Sequence, residues 1–315
     1  MQRTDLIDSV RATLARAGFS VSERCDLRPI SFDLVARRER DLLILKVLTN
    51  VDALSEPIAH EIRVLCRFLE GRPLLVGLRA GTGELEDGVV YTRHDIPIVT
   101  PATLAEYVLE GEAPMVLAAP GGFYVHLDPG ALRNARVEQA LSLGVLAQIA
   151  GVSRRAIQMY EEGMRASIDA AMRLEEYLQT DLIRPMDPLQ YAGREPAPTP
   201  EPEPVDTMEE FVRRMLEGLG YEVRVTRRSP FDALSTQGPD TVLTGMGAES
   251  PHLRKRARIV HSISQVTGRP GFFVVERTTR TELDGLPVVN RRELRRLADP
   301  QAILDLLLER AGRSE

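Results

Sequence analysis

The sequence predicts a multidomain α/β plus all-α protein: a central helical domain between two similar small α/β domains. Three observations predict it. Capped helical segments fill the middle third, a proline-rich stretch follows them at 185–206, and five short strings of the first third recur in order in the last third. At 315 residues the chain exceeds what one core organises comfortably, since about one domain per 150 residues gives two or three units. With 43% hydrophobic and 27% charged residues, its composition is that of ordinary globular domains.

The recurrence defines the first α/β domain, 1–112, and the second, 207–315. ARAGFSV at 15–21 answers LEGLGYEV at 216–223, each closing an amphipathic helix and entering a strand through glycine. SFDLV at 31–35 answers PFDAL at 230–234, and DLLILKV at 41–47 answers DTVLTGM at 240–246. EGRPLLVGLR at 70–79 matches TGRPGFFVVER at 267–277, and IPIVTPATL at 96–104 matches LPVVNRREL at 286–294. The runs LLILKVL and PLLVGL are short and rich in Val, Ile and Leu, as strands covered on both faces are, while 57–70 and 251–267 carry helical periodicity. That alternation predicts a layered α/β domain with a mixed sheet in each copy.

Between the copies, 113–128 reads as a hairpin, two apolar runs around Pro120-Gly121-Gly122. Helical pattern then fills 129–184. Between Pro185 and Asp206 prolines cluster among glutamates, every second residue from Pro196 to Pro204, which predicts an extended, solvated linker.

The helical domain carries the most specific local chemistry. Ser142 stands where its hydroxyl accepts from an unpaired amide of the next helix, and Gly151-Val152-Ser153 ends that helix and caps another. Gly163 closes the third helix, so two helices joined by a sharp turn span about 143–162. Leu146, Ala147, Val152, Ile157 and Tyr160 fall where crossing helices bury them. Arg154, Arg155, Gln158 and Met159 are left facing outward. Between 131 and 165 five Arg stand against three Glu, a local +2 in a chain of net −6. A polyanion is therefore expected there and not over the whole surface.

At these residues the sequence resembles the Cro/C1-type (XRE) helix-turn-helix family, through Leu141-Ser142, Leu146-Ala147, Gly151-Val152-Ser153, Ile157, Tyr160-Glu161 and Gly163. The layout is also similar to a group of archaeal transcriptional regulators in which this motif follows an α/β domain. Leu143 replaces the polar residue usual after the capping serine, and Ser167 stands where proline is usual. The resemblance implies a sequence-specific regulator that binds double-stranded DNA, with the helix from Ser153 to Glu162 in the major groove. It implies base contacts from Gln158 and from Arg154 or Arg155, the remaining arginine contacting phosphate, with Met159 on the same face; Arg165 and Arg133 or Arg136 are implied phosphate contacts. A homodimer is expected, reading two half-sites; the sequence names no effector.

The repeated α/β unit is similar in outline to the restriction-endonuclease-like nuclease fold. That fold needs carboxylates to hold a metal and a lysine to steady the attacking water. Asp33 and Lys46 fill two places, but the remaining position is Ile44; in the second copy Asp232 answers Asp33 and Asp240 answers Asp41, but Gly245 stands where Lys46 does. Both copies are therefore expected to be degenerate and non-catalytic, and the chain not an enzyme. The alternative is a nuclease or DNA-repair factor targeted by the helix-turn-helix; a third is a protein–protein adaptor.

Other classes find little support. Two cysteines, Cys25 and Cys66, make neither a disulfide framework nor a zinc pattern, and five scattered histidines form no cluster. No cofactor or metal is expected. No apolar run approaches the roughly 20 residues that cross a bilayer, so no membrane partner is expected and the location is read as cytoplasmic.

Overall fold

A computed structural model describes residues 2–190 and 207–311. The expected linker lies outside the described residues from 191 to 206. The chain packs as two compact units, one of 1–47, 54–73 and 194–315, the other of 48–53 and 74–193.

The first unit opens with α1 (Arg3–Arg16), β1 (Ser20–Val21), β2 (Leu34–Arg38), β3 (Asp41–Asn50) and α2 (Glu56–Leu69). α1 buries Leu6, Ile7, Val10 and Leu14, a single face at helical spacing. β1, β2 and β3 pair antiparallel, with Leu34 opposite Leu45 and Arg38 opposite Asp41. Leu42 to Val47 are buried without alternation, so both faces of β3 are covered, as its continuous apolar run predicts.

The second unit holds β4 (Arg72–Ala80), β5 (Gly83–Glu84), β6 (Val89–Arg93), β7 (Ile96–Val99) and α3 (Pro101–Ala105), which runs on as a π-type turn over Glu106–Glu110. After it come β8 (Val116–Ala119), β9 (Gly122–Leu127), α4 (Pro129–Glu138), α5 (Leu143–Ala150), α6 (Arg154–Glu161), β10 (Ala166–Ser167), α7 (Ile168–Leu178) and β11 (Ile183–Arg184). β4 and β7 are parallel, β7 and β6 antiparallel, β6 and β8 parallel, and β8 and β9 form the hairpin. The far edge of β9 takes both β10 and β11, with Ala166 opposite Val125 and Ile183 opposite Leu127. Continuous helical pattern to about Ile183 is thus interrupted: α7 stops where Gln179 turns left-handed at φ 52°, and the chain returns as a strand. Leu132, Leu146, Ile157, Leu174 and Leu178 share one core with Val125 and Leu127, which fastens the helices to the hairpin.

The first unit resumes with α8 (Thr207–Gly218), β12 (Glu222–Val225), β13 (Ala233–Gln237), β14 (Asp240–Met246), α9 (Pro251–Thr267), β15 (Gly271–Val275), β16 (Glu282–Leu283), β17 (Leu286–Asn290), α10 (Arg291–Leu294) and α11 (Pro300–Ala311). The sheet order is β12-β13-β14-β15-β17-β16. Its first three strands are antiparallel and β14, β15 and β17 parallel, a mixed sheet. Val212 and Leu216 of α8 pack on Val223, Val242 and Phe272.

Within this unit the two copies hold one another. Ser31 donates from both N–H and Oγ to the carbonyl of Arg228, at 2.7 and 2.9 Å. Glu61 Oε1 accepts from Arg228 N and Ser229 Oγ, and Arg37 Nη1 donates to Thr267 O at 2.7 Å. By packing, 1–47 and 54–73 group with the second copy, and 48–53 and 74–112 with the helical segment.

Candidate nucleic-acid interface

The helix-turn-helix is built from local hydrogen bonds that its sequence encodes. Ser142 Oγ accepts from Val145 N at 3.2 Å and starts α5. Gly151 ends it at φ 72°, a conformation in which a Cβ is strained, and Val152 N returns to Ala147 O at 2.9 Å. Ser153 Oγ then accepts from Ala156 N at 3.1 Å and starts α6. Leu146, Ala147, Ile157 and Tyr160 are buried, and Val152 packs half-buried on the same core. Leu143 also packs on that core, which gives a physical reason for an apolar side chain where a polar one is usual.

The predicted contact residues fall into two groups. Ser153, Arg154, Arg155 and Gln158 are exposed on one face of α6, Met159 is half-buried beside them, and Arg133 and Arg165 are exposed on neighbouring segments. Gln158 Nε2 rests on Glu162 Oε1 at 3.2 Å, a bond between exposed groups that water readily replaces. Arg136 differs from its expected phosphate role. Its Nε and Nη2 donate to Glu161 Oε1 and Oε2 at 2.5 and 3.0 Å, with side chains only 18% and 10% exposed. The hydrogen bonds to Glu161 raise the Arg136 pKa, and the pair ties α4 to α6. Arg136 is therefore a brace. The signal that could have found it is an acid on the inward side of α6, beside Tyr160.

Arg165 also reaches the hairpin. Burial first, then the Arg165 charge, lowers the His126 pKa from its ordinary value. The segment leaving α6 is thus held to β9 by strand pairing and lies close enough for its charge to be felt there.

The metal position of the nuclease-like fold can be inspected in both copies, and the residues present do not fit a cation. In the first, Asp33 Oδ2 accepts from Val47 N at 2.9 Å, and Oδ1 is taken by the Arg3 guanidinium at 2.6 Å. Lys46 Nζ donates to Ile30 O at 3.1 Å and lies 3.7 Å from Asp33, while burial lowers its pKa. Ile44 is fully buried where a second carboxylate is required.

The second copy repeats the frame and fills it differently. Asp232 Oδ2 accepts from Met246 N at 2.5 Å and from Arg256 Nη2 at 2.6 Å. Arg256 comes from α9, whereas Arg3 comes from α1. A Cβ on Gly245 would lie 2.4 Å from the Phe273 ring, so that ring occupies the place of the missing lysine. In each copy an arginine sits on the carboxylate a metal would need, and among the described residues no group of three His, Cys, Asp or Glu could hold one. No helix among the described residues is long and apolar enough to cross a membrane.

Comparison with known proteins finds two family matches and full-length relatives. Residues 3–114 match the PD-(D/E)XK superfamily domain, and residues 132–183 match the helix-turn-helix family. Relatives named as candidate HTH-type transcriptional regulatory proteins span the whole chain. One from Halorubrum lacusprofundi is 42% identical over 99% of this chain and 98% of its own length. One from Halobacterium salinarum is 42% identical over the full length of both, and one from Methanosarcina acetivorans is 38% identical over 98% of each. No solved structure matches.

Proposed function

The chain belongs to the family of HTH-type transcriptional regulatory proteins shared by these archaea, and we propose that it regulates transcription by binding double-stranded DNA sequence-specifically through α6. The exposed row Arg154, Arg155 and Gln158, on a helix whose opposite side is locked in the core, carries this reading. The major groove admits such a helix; Arg matches guanine O6 and N7, and Gln matches adenine. Met159 offers an apolar contact on the same face, and the amide end of α6 at Ser153 suits phosphate, as do Arg133 and Arg165. Two chains on a pseudo-palindromic site place two such helices about one helical turn apart, roughly 34 Å, and sedimentation with and without the site tests that homodimer.

Selection of sites from random duplexes, followed by Arg154→Ala with Arg155→Ala, tests the proposal. Each good bidentate pair is worth about 1–3 kcal/mol of discrimination, so the double variant is expected to lose most of its preference. Unchanged affinity and unchanged preference would overturn it.

The PD-(D/E)XK match favours a second reading, a DNA-cleaving factor. The arginines on Asp33 and Asp232 speak against it, so we read both α/β copies as scaffolds and not enzymes. Magnesium- or manganese-dependent cleavage of plasmid DNA that disappears with Asp33→Ala would reverse this reading.

A further inference from the structure

Three parallel strands, β14, β15 and β17, end at one edge of the second α/β copy, and the polypeptide gathers charge there. Five segments meet at it: 207–211, 226–232, 247–256, 276–280 and 291–296. Their side chains interlock. Arg227 pairs with Glu209 at 2.8 Å, Arg280 and Arg254 flank Glu249 at 3.1 and 3.7 Å, and Arg291 pairs with Glu276 at 3.2 Å while stacking on Phe211. These segments contain eleven Arg and Lys against six Asp and Glu, a surplus of five in a chain of net −6. The helix-turn-helix stretch 131–165 has a surplus of only two.

Two of the eleven cations, Arg228 and Lys255, are countered by Glu61 and Asp26 of the first copy, and part of the remaining charge is presented outward. Glu209, Asp232, Glu249 and Glu276 are each countered by an arginine of the same edge, Glu293 is countered by Arg310, and Glu210 by Arg214. Arg277, Arg292 and Arg296 are exposed, and no ion pair engages them among the described residues. Neutralised carboxylates beneath unpaired guanidiniums leave a surface that attracts polyanions and has no acid free to hold a metal. Guanidiniums suit phosphate oxygens, which they meet bidentately.

We propose that this edge of the second α/β copy is a further nucleic-acid contact surface, gripping the phosphate backbone of duplex DNA without reading bases and without cutting. The choice of duplex rests on the function proposed above. The edge's own chemistry specifies phosphodiester, and the three unpaired arginines are the principal contacts. Binding there is sequence-independent and steeply salt-dependent, because each phosphate neutralised releases condensed counterions.

The test uses the full chain and compares Arg277→Ala/Arg292→Ala/Arg296→Ala with a control of equal charge change at exposed arginines elsewhere, Arg11→Ala/Arg16→Ala/Arg40→Ala. Affinity is measured on a selected site and on random duplex across a salt series, with thermal melting as a fold check. The edge variant is expected to bind both duplexes roughly tenfold more weakly, with the slope of log K against log salt shallower by about two to three and the ratio between duplexes unchanged. The control should match the parent. Equal losses in both variants, or an unchanged salt slope in the edge variant, would overturn the proposal; so would tighter binding of single-stranded RNA that the edge variant abolishes. Loss of preference in the Arg154/Arg155 variant with an intact salt slope marks the groove contacts alone. A parent with no preferred site whose affinity still falls in the edge variant retires the groove reading and leaves this surface standing.

Discussion

Arg136 and Glu161 face each other through two charge-assisted hydrogen bonds, of 2.5 and 3.0 Å, that lock α4 to the end of α6. Breaking a buried pair strands its partner, and partial exposure here moderates that cost. Arg136→Ala is expected to destabilise the second unit by about 2 kcal/mol, read as a lowered midpoint in chemical denaturation. A phosphate contact would behave otherwise: the salt slope of DNA binding would fall while the midpoint stayed put.

Lys46 gives a stability prediction whose sign depends on pH. Burial lowers its pKa from 10.5, so between that lowered value and 10.5 the unfolded chain binds more protons than the folded one. Stability contributed by Lys46 is thus present above 10.5 and lost as pH falls through the lowered value. Lys46→Met is expected to be neutral or stabilising by about 1 kcal/mol at pH 7, because Arg3 and Val47 N still satisfy Asp33. The parent should then gain on the variant as pH rises toward 10.5, measured by urea denaturation at several pH values.

Gly245 and Phe273 form a steric pair that accounts for the missing lysine. Gly245→Ala pushes a Cβ against the ring and is expected to cost about 1–3 kcal/mol. In a Phe273→Leu background the same substitution should cost less, and a double-mutant cycle on denaturation midpoints measures the coupling. Equal costs in both backgrounds would refute the steric account.

His126 reports on Arg165. Arg165→Ala is expected to raise the His126 pKa toward 6.5 without reaching it, since burial is the larger of its two causes. Titration of the imidazole resonances by NMR checks the direction, and an unmoved pKa would place Arg165 away from β9.

Much of the helix-turn-helix was legible because its determinants are local. Ser142, Gly151 and Ser153 act within four residues of themselves, and the spacing of Leu146, Ala147, Ile157 and Tyr160 fixes one buried face. The recurrence of the outer copies was legible for a similar reason: DLLILKV and DTVLTGM open on Asp41 and Asp240, and each begins a strand. Partners distant in sequence were not. Arg136 reads from sequence as a phosphate contact, and its pairing with Glu161, 25 residues on, is set only by the fold.

The sequence by itself determined the helix-turn-helix, the duplicated α/β pattern and the gaps at Ile44 and Gly245, because caps, periodicity and residue identity need no knowledge of distant neighbours. Only the tertiary structure decided that Arg3 and Arg256 cover the two aspartates, that β9 carries β10 and β11, and that five separated segments pool their charge at one edge. Those outcomes depend on hydrogen bonds and close ion pairs that form only when groups come within a few ångströms, and folding alone sets which groups come that close.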